Sequence, residues 1–296
     1  MSARTRAALS RSVVDRDAAA REDDAGLSAA WDRSRVLVVQ DGQALVDGTS
    51  LVLVEPHQAP DGDRFYLGSD AGQPYFAVTG PLPRRLGAVP QGLREVGAAL
   101  DDRDAGLLTH AVGLANWHAA HPRCPRCGAP TRSIKGGSVR VCEVDGSTHF
   151  PRTDPAVIVL ITDGGERAVL GRQAVWPPRR YSTLAGFVEP GESAEQAVVR
   201  EVAEEAGIAV REVVYRDSQP WPFPASLMLG YRAVCDPGAE PLPQDGELED
   251  AAWFTRDELR DAGGWEGGTG PVLLPPPVSI AYRLIMDWVN EATSGT

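Results

Sequence analysis

Cysteine is scarce in this sequence: four residues, at positions 124, 127, 142 and 235 of 296. That excludes a disulfide-stapled scaffold, and the close pair Cys124-Pro-Arg-Cys127 reads as metal binding in a reducing compartment. Long apolar runs are missing too. The first thirty residues are charged and alanine-rich without a continuous apolar core, and no later stretch approaches the roughly eighteen apolar residues of a membrane span. Neither export nor a membrane is expected, and the cytoplasm is the expected compartment. Positive charge is in deficit, with a formal net charge of -12 and a sequence pI of about 4.9. Broad attraction to a phosphate backbone is thereby disfavoured, so any bound phosphate must be met by metal ions or a few positioned cations. No period of twenty to fifty residues and no low-complexity tract marks a repeat protein.

What is present suits an ordinary folded chain. Hydrophobic residues at 43% and charged residues at 24% are globular values, and 296 residues suffice for two or three domains. After an expected loose N-terminus, the β-rich runs Arg35–Val39, Ser50–Val54, Arg64–Leu67 and Tyr75–Val78 predict a small sheet. From Leu93 to about Ala120 the chain becomes Ala/Leu-rich, and Leu107, Ala111, Leu114 and Trp117 fall at helical spacing. Residues 122–152 carry cysteines, glycines and turn residues but almost no core-forming periodicity. Pro155-AVIVLI, a DGGE turn and Arg167-AVLG then predict two strands joined by a hairpin. Residues 262–277 are rich in glycine and proline and read as a loop. Ser279–Asn290 reads as a closing amphipathic helix with a serine cap. The expected division is an N-terminal domain over 1–120, a cysteine segment over 121–152 and a C-terminal domain over 153–296.

The chemistry concentrates in GFVEPGESAEQAVVREVAEEAGI, from Gly186 to Ile208. Ser193 with Gln196 forms a capping box that starts a helix, and Gly207 suits the left-handed residue that ends it. On that helix Glu201, Glu204 and Glu205 share an arc of about 100°, beside an apolar strip of Ala194, Val198 and Val202. Like charges so placed repel by a few tenths of a kcal/mol per pair. A solvated acidic face is the plain explanation. Cations among the carboxylates are the functional one, and oxygen-rich clusters suit magnesium or manganese. Arg200, one turn before Glu204, can orient it by an i,i+4 ion pair.

This stretch resembles the Nudix box, a glycine, a glutamate six residues on and then R-E-U-x-E-E-x-G-U with U a bulky aliphatic. Gly186, Glu192, Arg200, Glu201, Val202, Glu204, Glu205, Gly207 and Ile208 match every fixed position. The resemblance implies an α/β (α+β) chain with a C-terminal Nudix fold, a mixed sheet between helices, and hydrolysis of a nucleoside diphosphate linked to another group. It makes Glu201 and Glu205 metal ligands, Glu204 a third ligand or the water-activating base, and the Ala185 carbonyl a further ligand.

Beyond the box stands Ser218-Gln219-Pro220-Trp221-Pro222-Phe223-Pro224-Ala225-Ser226. Three prolines between large aromatics cannot run in a helix and preset a stiff turn displaying ring faces. A proline-rich loop anchored by Trp221 is the structural reading. The string is similar to the signature of NADH pyrophosphatases within the Nudix superfamily, and HFPRTDPAVI, TLAGFVEPGE and LLPPP followed by Ala281 continue the likeness. That family implies hydrolysis of NADH or NAD+ to nicotinamide mononucleotide and AMP, and by the same chemistry removal of NAD caps from RNA 5′ ends. A broader hydrolase of ADP-ribose or diadenosine compounds, or a non-catalytic NAD(H) sensor, are the alternatives. The resemblance makes Gln219 to Ser226 and Ala281 substrate contacts and Glu247 an acidic metal ligand. It makes Phe150 and Phe187 base-stacking candidates, contributed by different subunits of a homodimer, with core packing as the alternative for each. The N-terminal domain resembles the family only in its layout and is expected to be structural.

Cys124 and Cys127 form a zinc knuckle and Cys142 follows as in a zinc ribbon, but the family's second C-x-x-C has Asp145 at its last position here. Imidazole is the better ligand beside three thiolates, so His149 is favoured for the fourth position. Asp145 is the alternative, and a site without zinc the third. Any zinc here is structural, because the segment has too little apolar content to fold alone. Cys235 reads as packing.

Overall fold

Alternation with period two explains the C-terminal sheet. A computed structural model describes residues 6–244 and 246–291. In it the chain divides into two compact units, one of Leu9–Thr153 with Pro220–Ser226, the other of Asp154–Gln219 and the chain from Leu227 onward with the stretch ending at Ala8.

The N-terminal unit contains α1 (Asp24–Trp31), β1 (Arg35–Gln40), β2 (Gln43–Asp47), β3 (Ser50–Leu51), β4 (Leu53–Val54), β5 (Arg64–Asp70), β6 (Gln73–Thr79), β7 (Val89–Gly92), α2 (Leu93–Val96) and α3 (Asp102–Ala120). Its sheet runs in the order β3-β2-β1-β6-β5, with β4 on β1 and β7 on β2, and β1 lies parallel to β6. Val36 and Val38 of β1 join Leu27 and Trp31 of α1 and Phe76 and Val78 of β6 in one buried cluster. Helix α3 packs on β1 and β5, and the helical spacing expected of Leu107, Ala111, Leu114 and Trp117 puts all four in the core, none above 5% exposed. The region 93–120 forms two helices because Gly97 ends the first and the Asp101 side chain caps the second by accepting from the Asp104 N–H. The loose N-terminus does not hold among the described residues. Asp15 exchanges backbone hydrogen bonds of 2.9 Å with Ser69 and Leu9 is 2% exposed. Sequence offered no sign of this, since a single apolar residue and one bridge make no pattern. The cysteine segment belongs to this unit as β8 (Thr131–Ile134), β9 (Val139–Cys142) and β10 (Thr148–His149), a three-stranded antiparallel sheet.

The C-terminal unit holds β11 (Asp154–Thr162), β12 (Arg167–Gln173), β13 (Leu184–Phe187), α4 (Ala194–Ala206), β14 (Val210–Trp221), β15 (Ser226–Cys235), β16 (Leu248–Thr255), α5 (Arg256–Arg260), β17 (Gly263–Gly264), β18 (Leu273–Leu274) and α6 (Ile280–Val289), and the ends of β14 and β15 reach into Pro220–Ser226. The sheet order is β14-β15-β11-β12-β16, with β13 on β11. Along β11, Val157, Val159 and Ile161 enter the core shared with Val198 and Val202 of α4, while Ile158 and Leu160 enter the core shared with Leu284, Ile285 and Trp288 of α6. One strand thus feeds two cores, which is why its sequence is apolar throughout. Cys235 is fully buried in the α4 core, as packing requires. Gly263 and Leu273 pair within the stretch expected to be a loop, forming a two-residue parallel ladder.

Candidate active site

Helix α4 carries the carboxylates, and both of its ends are built as the sequence requires. Ser193 accepts from the Gln196 N–H while Gln196 returns a bond to the Ser193 N–H, and Gly207 closes the helix at φ 67. Burial of Ala197, Val198, Val202 and Ala206 fixes the rotation of the helix, so Glu201 and Glu204 fall on its open side and Glu205 at the boundary. Their environments differ. Glu204 is 53% exposed, Glu201 is 13% exposed at its side chain, and Glu205 is 3% exposed. Burial raises the Glu201 carboxyl above its ordinary range, and the charges of Glu204 and Glu247 add to the rise against the lowering by Arg200. Glu247, just before β16, is thus within electrostatic reach of the helix.

Arg200 organises the group. Its guanidinium makes a bidentate pair with Glu192, at 2.7 and 2.8 Å, and bonds Glu201 at 2.9 Å, Glu204 at 3.0 Å and the Phe187 carbonyl at 2.9 Å. The expected ion pair to Glu204 is therefore one of four anchors. Glu192, matched in the box without a role, is held down to about 2 chiefly by that pair, with the Glu189 N–H also donating to it. The clue available in sequence was its spacing: only a residue in the loop before the helix could fold back onto Arg200. Gly186 has an equally specific reason. A Cβ there would stand 1.9 to 2.2 Å from the Glu201 carboxyl atoms, so only glycine lets that carboxylate lie against β13. The Ala185 carbonyl lies on the same strand, where Ala185 pairs with Ile158 of β11.

An acidic set running from the buried Glu205 to the exposed Glu204 around one arginine fits hard divalent cations, whose ligands are oxygens. The carboxylates do not form a closed cage. Among the described residues the metal-ligating group whose donor atoms all converge within 4.8 Å is the cysteine segment's, and Arg200 lies between Glu201 and Glu204.

That group is Cys124, Cys127, Cys142 and Asp145. The Arg126 N–H donates to Cys124 Sγ and the Asp145 N–H to Cys142 Sγ, both at 3.4 Å, the turn geometry of paired metal knuckles. Cys127 and Cys142 sulfurs are 3.5 Å apart, close to an edge of a zinc tetrahedron of ~3.8 Å for Zn–S bonds of ~2.3 Å. His149, the favoured fourth ligand, stands beside this group and bonds the Cys124 thiol. Its Nε2 meets Ser147 Oγ at 3.2 Å, and Ser147 in turn holds Asp145 Oδ1 through its N–H at 2.8 Å. Asp145 sits on the same tight turn as Cys142, whereas His149 lies on the next strand.

The expected substrate contacts separate into groups. Gln219 departs from its expected role: it is fully buried, donates to the Val278 carbonyl at 2.8 Å and accepts from the Ile280 N–H at 2.7 Å, tying down the start of α6, which Ser279 caps. Ala281, 2% exposed, is packed in the first turn of that helix rather than open to a ligand. Pro220 to Ser226 group with the N-terminal unit. There Asn116 of α3 donates to the Pro222 carbonyl at 2.9 Å, Arg94 lies 4.4 Å from the Phe223 ring centre, and Trp221 packs edge-on to Phe223 at 4.9 Å. Pro222 is buried, Pro224 exposed, and Ala225 and Ser226 half-buried. Phe187 and Phe150 are 59% and 67% exposed, which removes core packing as the explanation for either.

The NUDIX domain family matches residues 152–273, the NADH pyrophosphatase-like rudimentary NUDIX domain residues 25–117, and the NADH pyrophosphatase zinc ribbon domain residues 119–150. Over 293 residues the chain is 41% identical to a Mycobacterium bovis protein named NAD-capped RNA hydrolase NudC, covering 95% of this chain and 94% of that one. The human mitochondrial NAD(P)H pyrophosphatase NUDT13 is 42% identical over 210 residues, 68% of this chain and 59% of its own. The NAD-capped RNA hydrolase NUDT12 of Macaca fascicularis is 41% identical over 200 residues, 64% of this chain and 43% of its own. Identity of this degree along nearly the whole length, around a box with every fixed position filled, means that the chain belongs to the NADH pyrophosphatase family of Nudix hydrolases.

Proposed function

We propose that the protein hydrolyses the central diphosphate of NADH or NAD+, giving nicotinamide mononucleotide and AMP, and that it acts likewise on the NAD cap of an RNA 5′ end. The observation that carries this reading is the Arg200 hub, which gathers Glu192, Glu201 and Glu204 beside the buried Glu205. Magnesium or manganese ions would be held by Glu201, Glu205, Glu247 and the Ala185 carbonyl, with Glu204 beside them. Such ions neutralise the diphosphate and lower the pKa of the attacking water. The chain's own groups do the rest. Arg200 fixes the Glu201 and Glu204 carboxylates, Gly186 leaves room for Glu201, and Glu204, open to solvent, would serve as a third ligand or take the proton from the water. Attack by water on one phosphorus breaks its bond to the bridging oxygen, which leaves on the other phosphate. The exposed Phe150 and Phe187 rings suit stacking on a base.

Structural zinc on Cys124, Cys127, Cys142 and Asp145 completes the cofactor set. The same reading makes the protein a cytoplasmic homodimer whose two copies share each site, measurable as a doubled mass by light scattering. Among the described residues no helix is long and apolar enough to cross a membrane.

Incubation with NADH and magnesium, with AMP as the readout, tests the reaction. Release of AMP by the wild type and its loss in Glu205→Gln are expected. A wild type that releases no AMP, or that cleaves ADP-ribose with a far higher kcat/KM, ends this assignment.

A further inference from the structure

The loop between β12 and β13 carries a feature that hydrolysis of a free dinucleotide does not use. Residues 174–181 read Ala-Val-Trp-Pro-Pro-Arg-Arg-Tyr. Strand register places them at the catalytic end of the sheet. Gln173, the last residue of β12, pairs with Leu248, which directly follows Glu247, and the Tyr181 hydroxyl at the loop's far end bonds Asp250. The loop therefore leaves and rejoins the sheet at the end that bears Glu247, with Tyr181 packed on the α6 core.

Its composition is unusual for a solvent loop in so acidic a chain. Trp176 is only half-buried and lies against the half-buried Trp265, ring centres 5.1 Å apart and planes at 53°. Arg180 lies over the Trp265 ring at 5.5 Å and donates to the Trp265 carbonyl at 2.8 Å, and Arg179, exposed, donates to the Gly270 carbonyl at 2.7 Å. Both arginines are held by backbone carbonyls, and among the described residues neither has a carboxylate at ion-pair distance. Glu266, directly after Trp265, is exposed. Arg172 differs, since it pairs with Glu249 and holds the Trp176 carbonyl at 2.8 Å. Two prolines stiffen the loop and leave Val175 85% exposed. Rigid indole faces beside unneutralised guanidinium groups match what single-stranded nucleic acid offers, a base to stack and a phosphate to pair.

We propose that Trp176, Trp265, Arg179 and Arg180 form a platform for the first nucleotides of an RNA chain whose 5′ end occupies the catalytic cluster. This rests on the reading of the cluster as a site for NAD-type diphosphates and adds the polymer side of the substrate. A free dinucleotide ends within the catalytic cluster and has no chain to lay on the platform. The contact is sequence-tolerant, because every base has a stacking face.

The test compares Trp176→Ala, Trp176→Phe and the double variant Arg179→Ser/Arg180→Ser with wild type, on free NADH and on an NAD-capped RNA of ten nucleotides at two salt concentrations. The expected result is an unchanged kcat/KM for NADH and a roughly tenfold fall for the capped RNA. It should be carried by KM, partly restored in Trp176→Phe, with a shallower salt dependence in the arginine variant. Equal falls on both substrates, or none on the RNA, overturn the platform. Binding of the same capped RNA to E205Q, with and without the platform substitutions, is read alongside. Loss of NADH turnover in the wild type would sink the catalytic reading, while the platform stands or falls on this binding.

Discussion

Helix α3 of the N-terminal unit and helix α4 of the C-terminal unit are each capped by a short polar side chain, Asp101 and Ser193, and each lies on a sheet. Their polar residues have opposite uses. On α3 the carboxylate of Asp104 is fully buried and consumed by structure, accepting from the Leu51 N–H at 2.8 Å and from Arg103. On α4 Glu204 stays open and Glu201 partly so above the buried Glu205, and the neighbouring arginine holds the first two in a fixed arrangement. The two units show that a sheet and helix supply only the platform. Chemistry depends on whether the acids are left available.

The largest effect should come from breaking the acidic face itself. Glu205→Gln is expected to lower kcat for NADH by on the order of a thousandfold, the several kcal/mol that a lost metal ligand removes from transition-state stabilisation. Its thermal midpoint should stay within a few degrees of wild type, because a buried charge is being removed. Asp104→Ala should do the reverse. It leaves a buried N–H unbonded and is expected to cost about 2–4 kcal/mol of stability by urea unfolding, with kcat per folded molecule unchanged. Should Asp104→Ala lower kcat as Glu205→Gln does, the contrast between the helices is lost.

The zinc centre sharpens the comparison further. Asp145→Ala should weaken zinc binding, followed by release to a colorimetric chelator, by more than the ~10–100-fold typical of losing an outer-shell partner. His149→Ala should fall within that range. The opposite order would assign the fourth position to His149.

The smallest effect is one of pH. Burial, with the charge of Arg16 adding to it, pushes His110 of α3 down to about 3, from an ordinary 6.5. A histidine depressed in the folded state takes its proton first in the unfolded chain. Stability is therefore full above about 6.5 and erodes as pH falls towards 3, by ~2 kcal/mol at pH 5. Glu192 of the catalytic unit, held to about 2 by Arg200, keeps its contribution above 4.5 and loses it only as pH falls towards 2. Urea unfolding at pH 7.5 and 5 should show a smaller loss in His110→Leu than in wild type, the remainder carried by His118, which burial also lowers.

Much of this was legible in order along the chain. The box helix, its two caps, the buried strip of Val198 and Val202, and the closing helix with Ile280, Leu284 and Trp288 inside all follow from spacing that a helix imposes on neighbours. Strand β2 and the anchored stretch around Asp15 were not legible. Their partners, Ala44 with Val39 in a tight hairpin and Asp15 with Ser69 far along the chain, are set by register and long-range pairing rather than by composition. Gln219 shows the same limit within the site. Its motif marks it as special, but only the placement of α6 against β14 reveals that its task is to bond Val278 and Ile280.

Sequence by itself determined which residues could do chemistry here: a complete box, three cysteines and a proline-aromatic string, because side-chain type and helical period are local properties. Tertiary structure alone decided which of them are free to act. It buried Gln219, left Phe150 and Phe187 in solvent, gathered Asp145 with the three cysteines, and folded Glu192 back onto Arg200. Exposure, convergence and hydrogen-bond partnership are relations between distant parts of the chain, and no window of sequence contains them.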